Sequence, residues 1–405
     1  MKNLAAQAGH GSKTRRGSLI RPVCSQQPTR NRAFGPTKKR ANMKKIILGA
    51  FCALALAGTV PAVAGTFEPE PGFSSTNVNT GVGTDLQIVS FDAVGDTLYN
   101  WQGDPAFFGQ GGGLFIGDFQ GNGTPVVVND PSDPTLNSDY ISTAFNSFTT
   151  YHEASNTLWL GFTISGNADD RIYTVDLDTN TWSRQGENAD FTGNYDLQFS
   201  GGEIYVSALG SSGSGNSIWH FDPTINNSTA LTEIVNPGGN SAGLTFDDEG
   251  NLYYGTNGLA DDVIYQFSAD EVETALNTDT PITVTNSQII TNVDSGVTDV
   301  VVDDENQLFF NFNFAGDDFD ESYLALWNGI AGQDDNFELL GQAFSDPFTF
   351  LTGLDANGSF EQGGPVLALE AASGDLFAVV PEPTSGALLG LALLSGLALR
   401  RSRRS

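Results

Sequence analysis

Three short strand patterns recur four times along the middle of the chain. One of them appears as NTLWLGFT, GEIYVSAL, GNLYYGTN and NQLFFNFN. Its equivalent positions Leu158, Ile204, Leu252 and Leu308 lie 46, 48 and 56 residues apart. A repeat of this length fits one four-stranded blade of a β-propeller, because four short strands and their turns fill such a unit.

The residues within each repeat favour antiparallel sheet. Runs rich in Tyr, Phe, Val and Ile are separated by Gly, Asn and Asp turns. Tyr173, Trp219 and Tyr265 hold the same position in three repeats, and polar residues follow each of them, as half-buried strands require. We therefore predict an all-β fold, a β-propeller of about six four-stranded blades over residues 85–380. Four blades are expected near residues 141–187, 188–236, 237–292 and 293–347, with the flanks supplying one or two more.

Two segments depart from this pattern. ADEVETALN, residues 269–277, predicts a short helix between blades. Residues 65–84 are rich in Gly, Pro, Ser, Thr and Asn and predict a flexible lead-in. The residue pattern of the repeats resembles that of NHL-like and kelch-like propeller repeats. That resemblance implies the fold but no particular activity, since propellers host enzymes, scaffolds and lectins.

The last 26 residues contain three consecutive features. They begin with a motif at Val380, Pro381, Glu382 and Pro383, continue with an uncharged apolar run over residues 384–399, and end in the basic residues Arg400, Arg401, Arg403 and Arg404. A helix satisfies its own backbone in lipid, and arginines hold the end of such a helix on the cytoplasmic side. The run is shorter than the roughly 20 residues of a comfortable span, which favours transient insertion.

This order of motif, apolar run and basic end resembles the PEP-CTERM sorting signal of Gram-negative bacteria. The resemblance implies recognition by an exosortase, which is thought to cleave near the motif after export, and an association with exopolysaccharide and biofilm matrix. The alternative is an ordinary C-terminal membrane anchor.

An export signal is predicted over residues 43–64. Lys44 and Lys45 follow Met43, an apolar core comes next, and Ala62 and Ala64 supply the small residues before a cleavage site ahead of Gly65. The expected partners are the Sec translocon, signal peptidase and the exosortase-type enzyme. The expected location is the cell surface or extracellular matrix, reached across the inner membrane with a transient anchor. Residues 1–42 are either a leader extension or a start assigned too early.

The exported part is strongly acidic. Between residues 66 and 380 there are 47 Asp and Glu but only two basic residues, Arg171 and Arg184. Such a surface excludes DNA and RNA as partners, because it would add charge to a polyanion instead of releasing counterions. It attracts cations, cationic polymers and basic patches, or it serves solubility alone. Cys24 and Cys52 both precede the cleavage site, so the mature chain relies on its hydrophobic core.

One segment predicts a metal. In DFQGNG, Asp118, Gln120 and Asn122 present oxygens at alternate positions. The segment resembles the calcium loops of FG-GAP repeats, which implies a calcium site; Gln120 replaces the usual Asp or Asn, and no acidic residue closes the loop. The alternative is a Gly-Asn-Gly hairpin turn.

Other candidates for chemistry favour structural roles. His220 and His152 are isolated, and Ser241 in GNSAG precedes a strand where a hydrolase nucleophile would precede a helix. Two functions remain open. One is a non-catalytic surface or matrix protein that binds carbohydrate, cations or protein; the other is a secreted polysaccharide hydrolase or lyase with acidic residues at the propeller's central face. The absence of a recognisable nucleophile, His cluster or metal-ligand spacing favours the first.

Overall fold

We describe the protein from a computed structural model. The described residues are 66–78, 87–104, 110–119, 123–128, 136, 140–164, 170–186, 192–209, 215–225, 228–240, 242–258, 262–293, 296–313, 321–332, 336–344, 351–370 and 374–382.

Six antiparallel sheets form a six-bladed β-propeller, which confirms the predicted fold. Each blade is numbered from its innermost strand outward. Blade 1 contains β3 (Gln87–Val94), β4 (Thr97–Gly103), β5 (Gly113–Asp118) and β6 (Gly123–Val126). Blade 2 contains β7 (Phe145–His152), β8 (Thr157–Thr163), β9 (Arg171–Asp176) and β10 (Thr181–Gln185). Blade 3 contains β11 (Thr192–Ser200), β12 (Glu203–Leu209), β13 (Asn216–Phe221) and β14 (Leu231–Val235).

The remaining three blades include both ends of the domain. Blade 4 contains β15 (Leu244–Phe246), β16 (Leu252–Gly255), β17 (Asp262–Phe267) and β18 (Ile289–Val293). Blade 5 contains β19 (Val297–Val302), β20 (Leu308–Asn313), β21 (Glu321–Trp327) and β22 (Phe337–Phe344), with β1 (Thr66–Pro69) as an outermost fifth strand. Blade 6 contains β23 (Leu351–Ala356), β24 (Val366–Glu370) and β25 (Leu376–Pro381), and its outermost strand is β2 (Phe73–Val78).

The prediction that residues 65–84 form a flexible lead-in is wrong for most of the described residues of this segment, because they form β1 and β2. The two strands supply the outer edges of blades 5 and 6. Most of their residues are polar, because an edge strand buries only part of its surface: Glu68 and Thr76 are exposed, whereas Phe67 and Val78 are buried. Each strand is ordered by pairing with a strand far away in the sequence, and local composition does not indicate such pairing.

Large aromatic side chains fill the space between neighbouring blades. Trp101 of blade 1 meets Phe162 of blade 2 edge to face, with ring centroids 5.0 Å apart. Trp182 and Tyr173 complete this cluster, and all four side chains are fully buried. Replacing one such Trp by Ala removes about 3–5 kcal/mol of stability, because the packed blades cannot close the cavity.

The predicted helix is α1 (Ala269–Thr278), between β17 and β18. It starts with a capping box, in which Ser268 Oγ accepts from the Glu271 N–H and the Glu271 carboxylate accepts from the Ser268 N–H. Val272 and Ala275 are its buried residues. Within the described residues, no helix is long and apolar enough to cross a bilayer.

Candidate functional site

The innermost strands of the six blades contact one another in a closed ring around the propeller axis. Each strand approaches its neighbour through polar groups, because the strand edges near the axis have no further strand to pair with. The residues on these six strands are therefore the ones able to reach a ligand in the central channel.

Four aspartates lie on these strands, and we call them the channel aspartates: Asp92, Asp196, Asp299 and Asp355. The charge on Asp92 of blade 1 bears on Asp196 of blade 3, although these blades are not neighbours in the ring. The two carboxyl groups are therefore close enough for their charges to interact. All four side chains keep partial contact with solvent, while protein encloses them on most sides.

Each channel aspartate accepts a main-chain N–H from the innermost strand of the following blade. The Leu244 N–H donates to Asp196 at 2.8 Å and the Leu354 N–H donates to Asp299 at 2.8 Å. The other two bonds run from the Ala93 N–H to Asp355 at 2.7 Å and from the Tyr151 N–H to Asp92. The carboxylates thus fasten blade 1 to 2, blade 3 to 4, blade 5 to 6 and blade 6 to 1.

The two remaining blade junctions use other groups. Thr150 Oγ1 donates to the Leu197 carbonyl at 3.0 Å between blades 2 and 3. The Gly243 N–H donates directly to the Thr298 carbonyl at 3.1 Å between blades 4 and 5. A Cβ on Gly243 would lie 1.7 Å from Asp299 Oδ1, so only glycine fits at this approach.

Burial raises the pKa of the channel aspartates, because a carboxylate loses hydration inside the ring. Burial raises the pKa of Asp196 to about 6, against the lowering effect of its main-chain donors. The pKa of Asp299 is raised well above its usual range by burial and then by repulsion from Asp196. The pKa of Asp355 is raised in the same way by burial and then by the charge of Asp92.

The aspartates therefore form two pairs. The carboxyl groups of Asp92 and Asp355 interact, and the charge of Asp92 contributes to the raised pKa of Asp355. Asp196 and Asp299 interact as like charges. Burial first, and then repulsion between the interacting carboxyl groups, disfavours ionisation of all four aspartates at once.

Tyr195 reaches across the ring of inner strands. Its hydroxyl donates to the Thr352 carbonyl at 3.3 Å, and these residues belong to blades 3 and 6, which lie opposite each other in a ring of six. Burial, then the charges of Asp299 and Asp196, raise the pKa of the Tyr195 phenol, which therefore stays protonated and donates this bond.

The residues predicted as a calcium site are only partly described. Asp118 is the last residue of β5 and pairs with Thr97 of β4. β5 and β6 form an antiparallel hairpin with Gly117 opposite Gly123, while Gln120 and Asn122 lie outside the described residues. In the described part of the chain, no three His, Cys, Asp or Glu side chains come together as metal ligands. Calcium at this hairpin stays a prediction.

The predicted sorting motif starts inside the propeller. Val380 and Pro381 are the last residues of β25, and the Glu382 N–H donates to the Gly72 carbonyl at 2.7 Å. Pro383 and the arginines at 400, 401, 403 and 404 lie outside the described residues, as do Ala62, Ala64 and Gly65 at the predicted cleavage site.

The histidines lie apart, on different blades. His220 Nε2 contacts Glu203 Oε2 at 2.7 Å between the two middle strands of blade 3, β13 and β12. His152 Nδ1 contacts Ser155 Oγ at 2.6 Å in the turn after β7. Ser241 lies outside the described residues, and β15 follows it as the sequence predicted.

Sequence reasoning missed the channel aspartates and Tyr195. Tyr195 and Asp196 begin YDLQFSGG, one of the recurring patterns, and a related Asp occurs in FDAVGD, TDVVVDD and LDANGS. A comparison of the first strand of every blade would have exposed this signal.

A comparison with protein-family models and with curated proteins finds no match to this chain. Among solved structures, the chain is similar to a PQQ-bound aldose sugar dehydrogenase from Streptomyces coelicolor, with a TM-score of 0.44 and 12% identity over 78% of this chain and 100% of that chain. It is also similar to the gluconolactonase XC5397 from Xanthomonas campestris, with a TM-score of 0.45 and 14% identity over 80% of this chain and 99% of that chain. Likeness at this level concerns the fold and does not extend to activity or ligand.

Proposed function

We propose that this protein is an exported, non-catalytic propeller that serves as a binding and structural component of the cell surface or extracellular matrix. An exosortase-type enzyme processes its C-terminal tail. One observation carries the proposal: β25 ends at Pro381, where the sorting motif has already begun. The whole domain is therefore complete before the apolar run, and removal of that run would release an intact propeller.

The chemistry of the channel supports a non-catalytic role. Each channel aspartate already accepts main-chain N–H groups that join two blades. A catalytic carboxylate must instead reach substrate with a free oxygen. Tyr195 also spans the channel from blade 3 to blade 6, which narrows it.

The acidic surface indicates the chemistry of the partners. Asp248 and Glu249 are exposed in the turn after β15, and Asp304 and Glu305 are exposed in the turn after β19. These carboxylates attract cations and cationic groups, with a range of about 10 Å at moderate salt. The proposed partners are exopolysaccharide of the producing cell and cationic components of its surface.

The test is incubation of the mature protein with the producer's own exopolysaccharide, followed by sedimentation and an assay for reducing ends. We expect the protein to sediment with the polymer while the number of reducing ends stays constant. The charge-dependent part of the retention should fall as sodium chloride is added, because salt screens exposed charges. Protein that stays in the supernatant at low salt would contradict polysaccharide binding.

A second candidate function is a polysaccharide hydrolase or lyase. The interacting carboxyl groups of Asp92 and Asp355 favour it, since two neighbouring carboxyl groups with raised pKa can act as acid and base. New reducing ends in the same assay would support this function. Their loss in Asp355→Asn, together with their persistence in the surface control Asp304→Asn, would assign them to the pair.

A further inference from the structure

The last residues of β25 depend on the N-terminal strand β2. β24 pairs with β25 only over Leu376–Val379, whereas β2 continues the pairing with Ser74 opposite Val380 and Phe73 opposite Pro381. The bond from the Glu382 N–H to the Gly72 carbonyl extends this ladder by one more pair. Val380, Pro381 and Glu382 thus have β2 and its preceding turn as their only strand partner among the described residues.

Proline suits this place in the ladder. In an antiparallel pair, hydrogen-bonded and non-hydrogen-bonded positions alternate. Because Gly72 and Glu382 form a hydrogen-bonded pair, Phe73 and Pro381 form a non-hydrogen-bonded one. The Phe73 N–H accordingly donates to the Glu70 carbonyl and not to Pro381. Pro381 therefore removes no bond from the ladder.

Little chain separates this ladder from the apolar run. Pro383 alone lies between Glu382 and residue 384, where the run begins. At a maximum of about 3.5 Å for each residue, the chain can place the start of the run no more than about 7 Å from Glu382. An endopeptidase binds its substrate as an extended strand through free main-chain groups. In Val380–Glu382 the edge that faces β2 is occupied.

We propose that β2 shields the sorting motif through Glu382, so that the tail is cut after Glu382 and blade 6 stays closed in the released protein. The proposal rests on the proposed function, in which the tail is processed. It assigns the position of the cut: the C-terminus of the mature protein is Glu382 or a later residue.

The first experiment tests the shield without the sorting enzyme. The full chain, purified in detergent, is digested briefly with proteinase K, and the intact masses of the products are measured. We expect every early C-terminal product to end at Glu382 or beyond. An early product from the wild-type chain that ends before Glu382 would overturn the proposal.

Two matched variants test whether β2 is the shield. Thr76 pairs with Ala378 at a hydrogen-bonded position, so Thr76→Pro removes a donor from the middle of the β2 ladder. Ser75 pairs with Val379 at a non-hydrogen-bonded position, and its N–H points away from β25. We expect Thr76→Pro to yield products that end before Glu382 and Ser75→Pro to behave as wild type. Equal protection in both variants would show that another element shields the motif and would overturn the proposal.

The second experiment locates the C-terminus of protein released by the producing cell, by intact mass. A C-terminus at Glu382, or later within the tail, supports the assigned cut. A C-terminus before Glu382 overturns it. A released protein that retains Ser405 rejects processing, and with it that part of the proposed function, while the digestion separately decides the shield.

Discussion

The Tyr195 hydroxyl and the Thr352 carbonyl lie 3.3 Å apart across the ring, so one side chain joins blade 3 to blade 6. The other inner-strand contacts described above that fasten blades together join neighbours, whereas this one joins opposite blades. It braces the ring across its diameter and divides the channel.

Tyr195→Phe is expected to lower the free energy of unfolding by about 1 kcal/mol, since one partly buried hydrogen bond is lost while the aromatic ring of the side chain is kept. Urea unfolding measures this change. Tyr195→Ala also empties the space that the aromatic ring fills, so we expect a larger loss of stability and the entry of small dyes into the channel. A Tyr195→Ala protein as stable as wild type would contradict the brace.

Stability is expected to fall as the pH rises through about 6. The folded pKa of Asp196 exceeds the value in the unfolded chain, so the folded state binds more protons between the two values. This contribution is fully present below the unfolded pKa and is lost above about pH 6. Asp196→Asn removes the charge, so its stability relative to wild type should rise by about 2 kcal/mol between pH 4 and 7.5.

Denaturant unfolding of both proteins across this pH range checks the expectation. Asp248→Asn is the control, because Asp248 is exposed and its replacement removes one charge from the acidic surface alone. The same pH dependence in both variants would mean that total charge, and not the channel, governs the effect.

Asp303→Ala is expected to destabilise the protein by about 2–3 kcal/mol. Asp303 accepts from the N–H groups of Glu305 and Gln307 in its own turn, and from the Phe360 N–H of blade 6 at 2.9 Å. Its loss leaves these donors unsatisfied at a site that is 5% exposed. The adjacent exposed residue gives the matched control, Asp304→Ala, which should change stability by less than about 0.5 kcal/mol.

Weak calcium binding is expected at the hairpin between β5 and β6. Calorimetric titration of the purified protein should give heat at millimolar calcium, because Asp118 is the only anionic ligand of the predicted set. Asp118→Ala should abolish the heat and Asp304→Ala should preserve it. The absence of heat from the wild-type protein at millimolar calcium would reject this site.

The secreted protein is expected to begin at Gly65. N-terminal sequencing of exported material checks the predicted cleavage after Ala64. Since β1 starts at Thr66 and pairs with Phe344, cleavage at this point leaves blade 5 complete. Retention of residues before Met43 would contradict the later start.

The sequence predicted the parts of the fold that depend on local pattern. Repeating strands around Leu158, Ile204, Leu252 and Leu308 predicted the blades, and the helix at Ala269–Thr278 followed from its own residues. β1 and β2 were missed because their partners, β22 and β25, lie almost 300 residues away. The channel aspartates were missed for a similar reason. Asp196 joins two blades by accepting the Leu244 N–H, and the residues of its own strand do not indicate that contact.

The pairing of β2 with β25 also has a consequence for the proposed export. Phe73–Val78 would leave the translocon among the first parts of the mature chain, and Leu376–Pro381 among the last. The first segment must therefore wait, without its partner, until nearly all of the chain has crossed. Contacts of such long sequence separation form slowly. A periplasmic chaperone that holds the early edge strands apart would spare the chain from pairing with a second copy of itself.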